Sequence, residues 1–199
     1  MSRLSLACCL VAVFVAPLLS SCEKSLSVDW NGKENFFLVE KSDKNEDGSV
    51  RLEYHSLVDA PADGVYQALA EPENYVAFVN GVTDSGKISA EGNTRVVHIT
   101  QTVVGRQNRA QLKYTFHPEA KKIEFQTLQS DMNFNDGSYQ VFSSPDGKRC
   151  HVVSVYNIRE KGGQKVPPGM LVSGTREAFK RAAESVKAKA LGKNSKLPG

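Results

Sequence analysis

The sequence predicts an α+β domain, an antiparallel sheet of about seven strands packed on a long C-terminal helix, with two short helices after the first strand. Three observations carry this prediction. From Val82 to Ile158 the chain is a succession of β-like runs broken by Glu91-Gly92-Asn93, Gly105, Pro118-Glu119-Ala120 and Ser144-Pro145-Asp146-Gly147, spacings that suit an antiparallel meander. From about Met170 to Leu191, Val172, Thr175, Phe179, Ala182, Val186 and Ala190 recur on one helical face, with most of the charges elsewhere. Between the first strands and the meander, Asp59-Ala60-Pro61-Ala62-Asp63 reads as a strand end followed by a helix start.

In chain order, Phe36-Phe37-Leu38-Val39 and Val50 to Val58 flank Asp43-Lys44-Asn45-Glu46-Asp47-Gly48, a charged turn closed by glycine and best read as a hairpin. Asp43, Asn45, Asp47 and Gly48 also match the opening of a calcium loop. The closing bidentate Glu is missing, because Tyr54 stands there and Glu53 comes one place early. Val65, Tyr66, Ala68 and Leu69 form the apolar face of the first helix, which Pro72 stops. Tyr75, Phe78 and Val79 belong to a second helical turn, and Gly81 marks its exit. The strands then run Val82 to Ile88, Arg95 to Val104, Arg106 to Phe116, Lys122 to Leu128, Phe134 to Phe142 and Arg149 to Ile158. Asp136-Gly137 falls early in its run and suits a bulge. Gly192-Lys193-Asn194 caps the long helix, and the tail from 193 to 199 is expected to be disordered.

The chain starts differently. Arg3 precedes an apolar run from Leu4 to Ala16, and Leu19-Ser20-Ser21-Cys22 follows. The run is interrupted by Ser5, meets Pro17 at its end and dissolves at Ser20, so it falls short of the about 20 apolar residues that span a bilayer. It resembles a bacterial lipoprotein signal, in which small residues give the peptidase access just before the cysteine that is lipidated. The resemblance implies a signal peptide over 1–21, an acyl-lipidated Cys22 and a polar tether over 22–35, which spans at most about 45 Å when extended. An ordinary secretory signal with an incidental cysteine is the alternative. Glu23 after the cysteine, where Asp would resemble an inner-membrane retention signal, favours the outer membrane of a bacterial envelope.

The leader holds one basic residue, Arg3, and no acid, so 24 basic and 22 acidic side chains of the original 25 and 22 remain. That balance asks for no nucleic acid partner. About 177 residues remain, enough for one domain over 36–192. Cys8 and Cys9 leave with the signal and Cys22 is consumed, so Cys150, within the strand-like Arg149 to Tyr156, reads as a small buried hydrophobe.

Two stretches carry a family resemblance. Val58-Asp59-Ala60-Pro61-Ala62-Asp63-Gly64-Val65-Tyr66-Gln67-Ala68-Leu69 with Tyr75-Val76-Ala77-Phe78-Val79 resembles the opening of the START-like SRPBCC superfamily, nearest its polyketide-cyclase and coenzyme-Q-binding groups. Phe134-Asn135-Asp136-Gly137-Ser138-Tyr139-Gln140-Val141 with Pro145 to Val152 is similar to its late hairpin. Where those families commonly carry Trp in both stretches, this chain has Val79 or nearby small residues, and Tyr139. The resemblance implies a helix-grip fold, whose curved sheet wraps the C-terminal helix around an elongated apolar cavity.

A cavity of that kind holds a lipid or other hydrophobic small molecule by burying apolar surface, at about 25 cal/mol per Å². The candidate wall is Tyr75 and Phe78 at the mouth, then Leu112, Tyr114, Phe116, Ile123 and Phe125 on the sheet. Phe134 and Tyr139 lie beyond, with Met170 and Phe179 on the helix. Each is equally suited to plain core. None of His98, His55, His117 and His151 shows triad or metal spacing; His98 is the candidate pocket acid or base for a cyclase-like enzyme, with a hydrogen-bonded strand histidine as the alternative. No cofactor, metal or catalytic constellation is indicated. A membrane-tethered carrier, a small-molecule enzyme and a ligandless envelope interaction module are the three functional expectations, the carrier first.

Overall fold

The computed structural model describes residues 28–103, 106–161 and 168–193, and for residues 103, 160, 168, 170 and 171 the backbone alone. Cys22, the signal sequence and the tail from 194 onward lie outside the described residues. Eight strands form one antiparallel sheet, one more than the predicted seven: β1 (Asn35–Lys44), β2 (Val50–Val58), β3 (Val82–Glu91), β4 (Thr94–Val103), β5 (Arg106–His117), β6 (Lys122–Ser130), β7 (Asn133–Ser143) and β8 (Cys150–Glu160). Their order is β1-β2-β8-β7-β6-β5-β4-β3. The helices α1 (Ala62–Leu69) and α2 (Tyr75–Phe78), joined by a 3-10 turn at Pro72–Asn74, carry the chain from β2 to the far edge. Successive hairpins then walk back until β8 pairs with β2.

The charged segment between β1 and β2 is a hairpin turn. Asn45 N–H donates to Ser49 O at 2.9 Å, the Asp47 carboxylate accepts from the Ser49 amide and hydroxyl, and Gly48 supplies φ of 81°. Asn45 and Asp47 thus spend their side chains on Ser49.

The long helix α3 (Pro168–Ala190) lays Phe179, Val186 and partly buried Val172, Ala182 and Ala190 on the core, as its periodicity predicts. Ser185 ties it to the α2 exit: its hydroxyl accepts from Asn80 N–H at 3.1 Å and donates to Arg181 O at 2.8 Å. Gly192, with φ of 68°, ends the helix, and Lys193 N–H reaches back to Ala188 O. Gly64 on α1 is a close-packing position, since a Cβ there would come 3.0 Å from Ala190 O.

Residues 28–34, assigned by the sequence to the polar tether, pack on the body. Arg149 donates to the carbonyls of Trp30 and Gly32 and pairs with Asp59. Glu34 takes Lys187 Nζ at 2.6 Å and the Asp59 amide at 2.9 Å. The docked segment therefore begins at Trp30, several residues before the expected boundary.

Candidate functional site

Alternation along the strands decides what faces α3. On β5 the inward set is Asn108, Ala110, Leu112, Tyr114 and Phe116; on β6 it is Ile123, Phe125 and Thr127. On β7 it is Asn133, Asn135, Gly137 and Tyr139, and on β8 it includes Tyr156 and Ile158. All of these except Phe116, Ile123 and Gly137 border a cavity of about 190 Å³, which Gly174, Thr175, Ala178, Phe179 and Ala182 of α3 close from the helix side.

Its body is aromatic. Phe125 lies 5.1 Å from Tyr139, 5.9 Å from Tyr114 and 5.9 Å from Tyr156, ring centre to ring centre. Phe179 closes the helix side, 6.2 Å from Tyr156 and 4.7 Å from Tyr54. Gly137 makes room for this cluster: a Cβ there would meet Val155 O at 2.0 Å and Phe125 Cζ at 2.7 Å. Burial raises the phenols of Tyr75, Tyr114 and Tyr156 well above the ordinary tyrosine range, and that of Tyr139 also rises although it hydrogen-bonds Tyr156. All four stay neutral at physiological pH. Among the described lining residues none is Asp, Glu, Lys, Arg, His or Cys.

One end of the cavity is polar, because the β6 and β7 ladder stops at Phe125↔Gly137. Beyond it, side chains replace ladder partners. Thr127 N–H donates to Asp136 Oδ1 at 2.8 Å, while Thr127 Oγ1 donates to Asn135 O and accepts from Asn135 N–H. β7 keeps an unbroken register with β8 through Asp136-Gly137, so no bulge forms there, and alternation alone places Asn135 at the cavity with Thr127, Asn108 and Asn133. Gln101, Asn133, Gly174 and Thr175, all partly exposed, form the rim.

Of the predicted wall, Tyr75, Leu112, Tyr114, Phe125, Tyr139 and Phe179 border the cavity. Phe78 and Phe116 are each 5 % exposed and pack behind it, Phe78 edge-on to Tyr75 and Phe116 beneath the Arg95 guanidinium. Ile123 is sealed core at 0 % exposure. Phe134 is corrected outright: it lies one residue out of phase with Asn135 and Tyr139, on the opposite face, where Arg159 sits 5.3 Å from its ring. Met170 starts α3, with its side chain outside the described set. His98 is likewise on the opposite face, 3.3 Å from Asp84, so it cannot serve as the cavity's acid or base. The polar residues Asn108, Thr127 and Asn135, and the ring of Tyr156, escaped sequence reasoning, which sought apolar runs. Their strand parity with Leu112, Phe125 and Tyr139 was the available signal.

A model of the family described as polyketide cyclase/dehydrase and lipid transport matches residues 58–187. The chain belongs to that family. Its fold is similar to the Zhui aromatase/cyclase from Streptomyces sp. R1128, with a TM-score of 0.65 at 18 % identity over 72 % of this chain and 94 % of that one. It is also similar to a START superfamily protein from Mycobacterium smegmatis, with a TM-score of 0.63 at 12 % identity, covering 71 % of this chain and 97 % of that one. The STAR-related lipid transfer protein of Xanthomonas axonopodis matches with a TM-score of 0.55 at 11 % identity, covering 76 % and 98 %. At these identities the likeness establishes the helix-grip fold alone. No curated protein matches the chain at a significant level.

Proposed function

We propose that this chain is a membrane-tethered protein that binds an uncharged hydrophobic small molecule between its sheet and α3, for transfer or sensing in a bacterial envelope. The observation that carries the reading is the cavity of about 190 Å³, walled by aromatic rings and free of charged side chains among the described residues. Closing apolar surface over a ligand supplies the affinity, and the neutral phenols add orientation without charge. Typical small-molecule sites occupy roughly 300–1,000 Å³, so the occupant is compact, a ring system or a short length of chain. Native mass spectrometry of the protein purified from a membrane-containing host should show a stoichiometric hydrophobic adduct. A protein that arrives empty and takes up nothing from vesicles refutes the carrier.

The tether rests on the sequence from Arg3 to Cys22. Labelling a bacterial host with an alkyne palmitate should mark the protein, and Cys22→Ser should abolish the mark. A cyclase-like enzyme is the second reading, favoured by the family description and by phenol donors on the wall. Under it, Tyr139→Phe loses turnover of a bound substrate while retaining binding.

A further inference from the structure

We propose that Asn135 is the polar anchor of this cavity, and that it selects a compact, uncharged ligand carrying a hydroxyl or N–H donor on an otherwise apolar ring body. The inference rests on the binding reading above and specifies its ligand. Asn135 borders the cavity, and its Oδ1 is buried with no hydrogen-bond partner; the oxygen touches no open space as it stands, so a ligand donor meets it by a turn of the amide about χ2. The residue's own backbone cannot serve the oxygen, because the N–H, the one backbone donor, is held by Thr127 Oγ1 at 2.9 Å. The neighbouring Asn108 is already used: its Oδ1 accepts from Ser130 Oγ at 3.0 Å and from Met132 N–H at 3.2 Å. A buried acceptor left unpaired is costly to the empty protein, and a ligand donor removes that cost. The same oxygen repels an anionic head, and no lining cation among the described residues offsets the repulsion. An apolar molecule fills the aromatic body but leaves the oxygen orphaned.

The test uses three probes on one ring system, 2-naphthol, 2-methoxynaphthalene and 2-naphthoate, titrated against the full chain and against Asn135→Leu and Asn135→Ser. The intact protein should bind 2-naphthol about tenfold more tightly than the methoxy compound, the return expected from one hydrogen bond to a buried acceptor, and 2-naphthoate more weakly still. Asn135→Leu should erase the naphthol preference without weakening methoxynaphthalene, and should melt no lower than the parent when empty, since it deletes an unpaired group. Asn135→Ser, which retains an acceptor, should keep part of the preference. Equal binding of naphthol and methoxynaphthalene by the parent, tightest binding of naphthoate, or a preference that survives in Asn135→Leu overturns the assignment of Asn135 while leaving the binding reading intact. Failure of all three probes to bind overturns both.

Discussion

At the scale of single residues, Gly137 is the most tightly confined of the described glycines. A methyl group there would overlap Val155 O and the Phe125 ring, so Gly137→Ala must shift a β8 strand or an aromatic wall residue. We expect a loss of about 2–3 kcal/mol in urea unfolding and a weakened affinity for any cavity ligand. His151 makes a second prediction. It is 6 % exposed, its Nε2 lies 3.1 Å from His55 Nδ1, and Phe142 stacks on it. Burial, reinforced by His55, pulls its imidazole down to about 4. The folded state therefore resists a proton that the unfolded chain accepts near the ordinary value. Stability falls as pH drops from about 6.5 to about 4, by up to about 3 kcal/mol, and His151→Gln should flatten that part of a melting-temperature profile. Glu53 acts lower on the scale. Burial alone would raise it, but hydrogen bonds from Lys41, His55 and Arg51 bring it down to about 2, and its contribution is lost from about pH 4.5 downward. Cys150 is inert: burial pushes its thiol up to about 12.

At the scale of elements, α3 and the two-helix crossover were readable from periodicity, because an amphipathic face repeats every three or four residues whatever it packs against. Phe179 shows what that face does. Its ring meets Phe37 of β1, Tyr54 of β2 and Tyr156 of β8, so one side chain joins the helix to three strands. Phe179→Ala should cost about 3 kcal/mol in urea unfolding and enlarge the cavity; an unchanged midpoint would show that α3 is not gripped there. The strands were legible as runs, but the divergence of β6 from β7 was not. It arises from Thr127 and Asp136 side chains replacing ladder partners, and the sequence offered only Asp136-Gly137 as its mark. Phe134 differs from its expected place for a related reason. Its hydrophobic character suits a wall, but parity decides the face, and Phe134 and Tyr139 cannot face the same side of a strand that pairs with β8 in unbroken register.

At the scale of the whole molecule, the docked amino-terminal segment and the cavity rim occupy opposite ends of the sheet. Arg149 and Asp59 hold Trp30 and Gly32 beside the start of β8, whereas Asn133 and Ile158 lie at the other end of the β7–β8 pair. That pair is roughly 33 Å long at 3.3 Å per residue. Eight peptide steps separate Cys22 from Trp30, a reach of at most about 28 Å, shorter than the about 45 Å of a tether that continues to Asn35. If Cys22 carries the anchor, the end of the sheet that holds Trp30, and not the rim, is the end tied directly to the bilayer. A fluorophore at Thr102→Cys, near the rim, should then be quenched less by headgroup-labelled lipid than one at Lys33→Cys, and the reverse order would contradict this geometry. Arg149→Ala should expose residues 28–34 to limited proteolysis while leaving the core resistant.

By itself the sequence determined the order of elements, the amphipathic face of α3, the turn chemistry of the first hairpin and the family, since these rest on local periodicity and on short-range turn and cap residues. Only the tertiary structure decided which aromatics border a cavity and which are sealed behind it. It alone set His98 on the outer face and left Asn135 with an unpaired oxygen. Those outcomes depend on which strand lies beside which and where a ladder ends, contacts between residues far apart in the chain that no local pattern records.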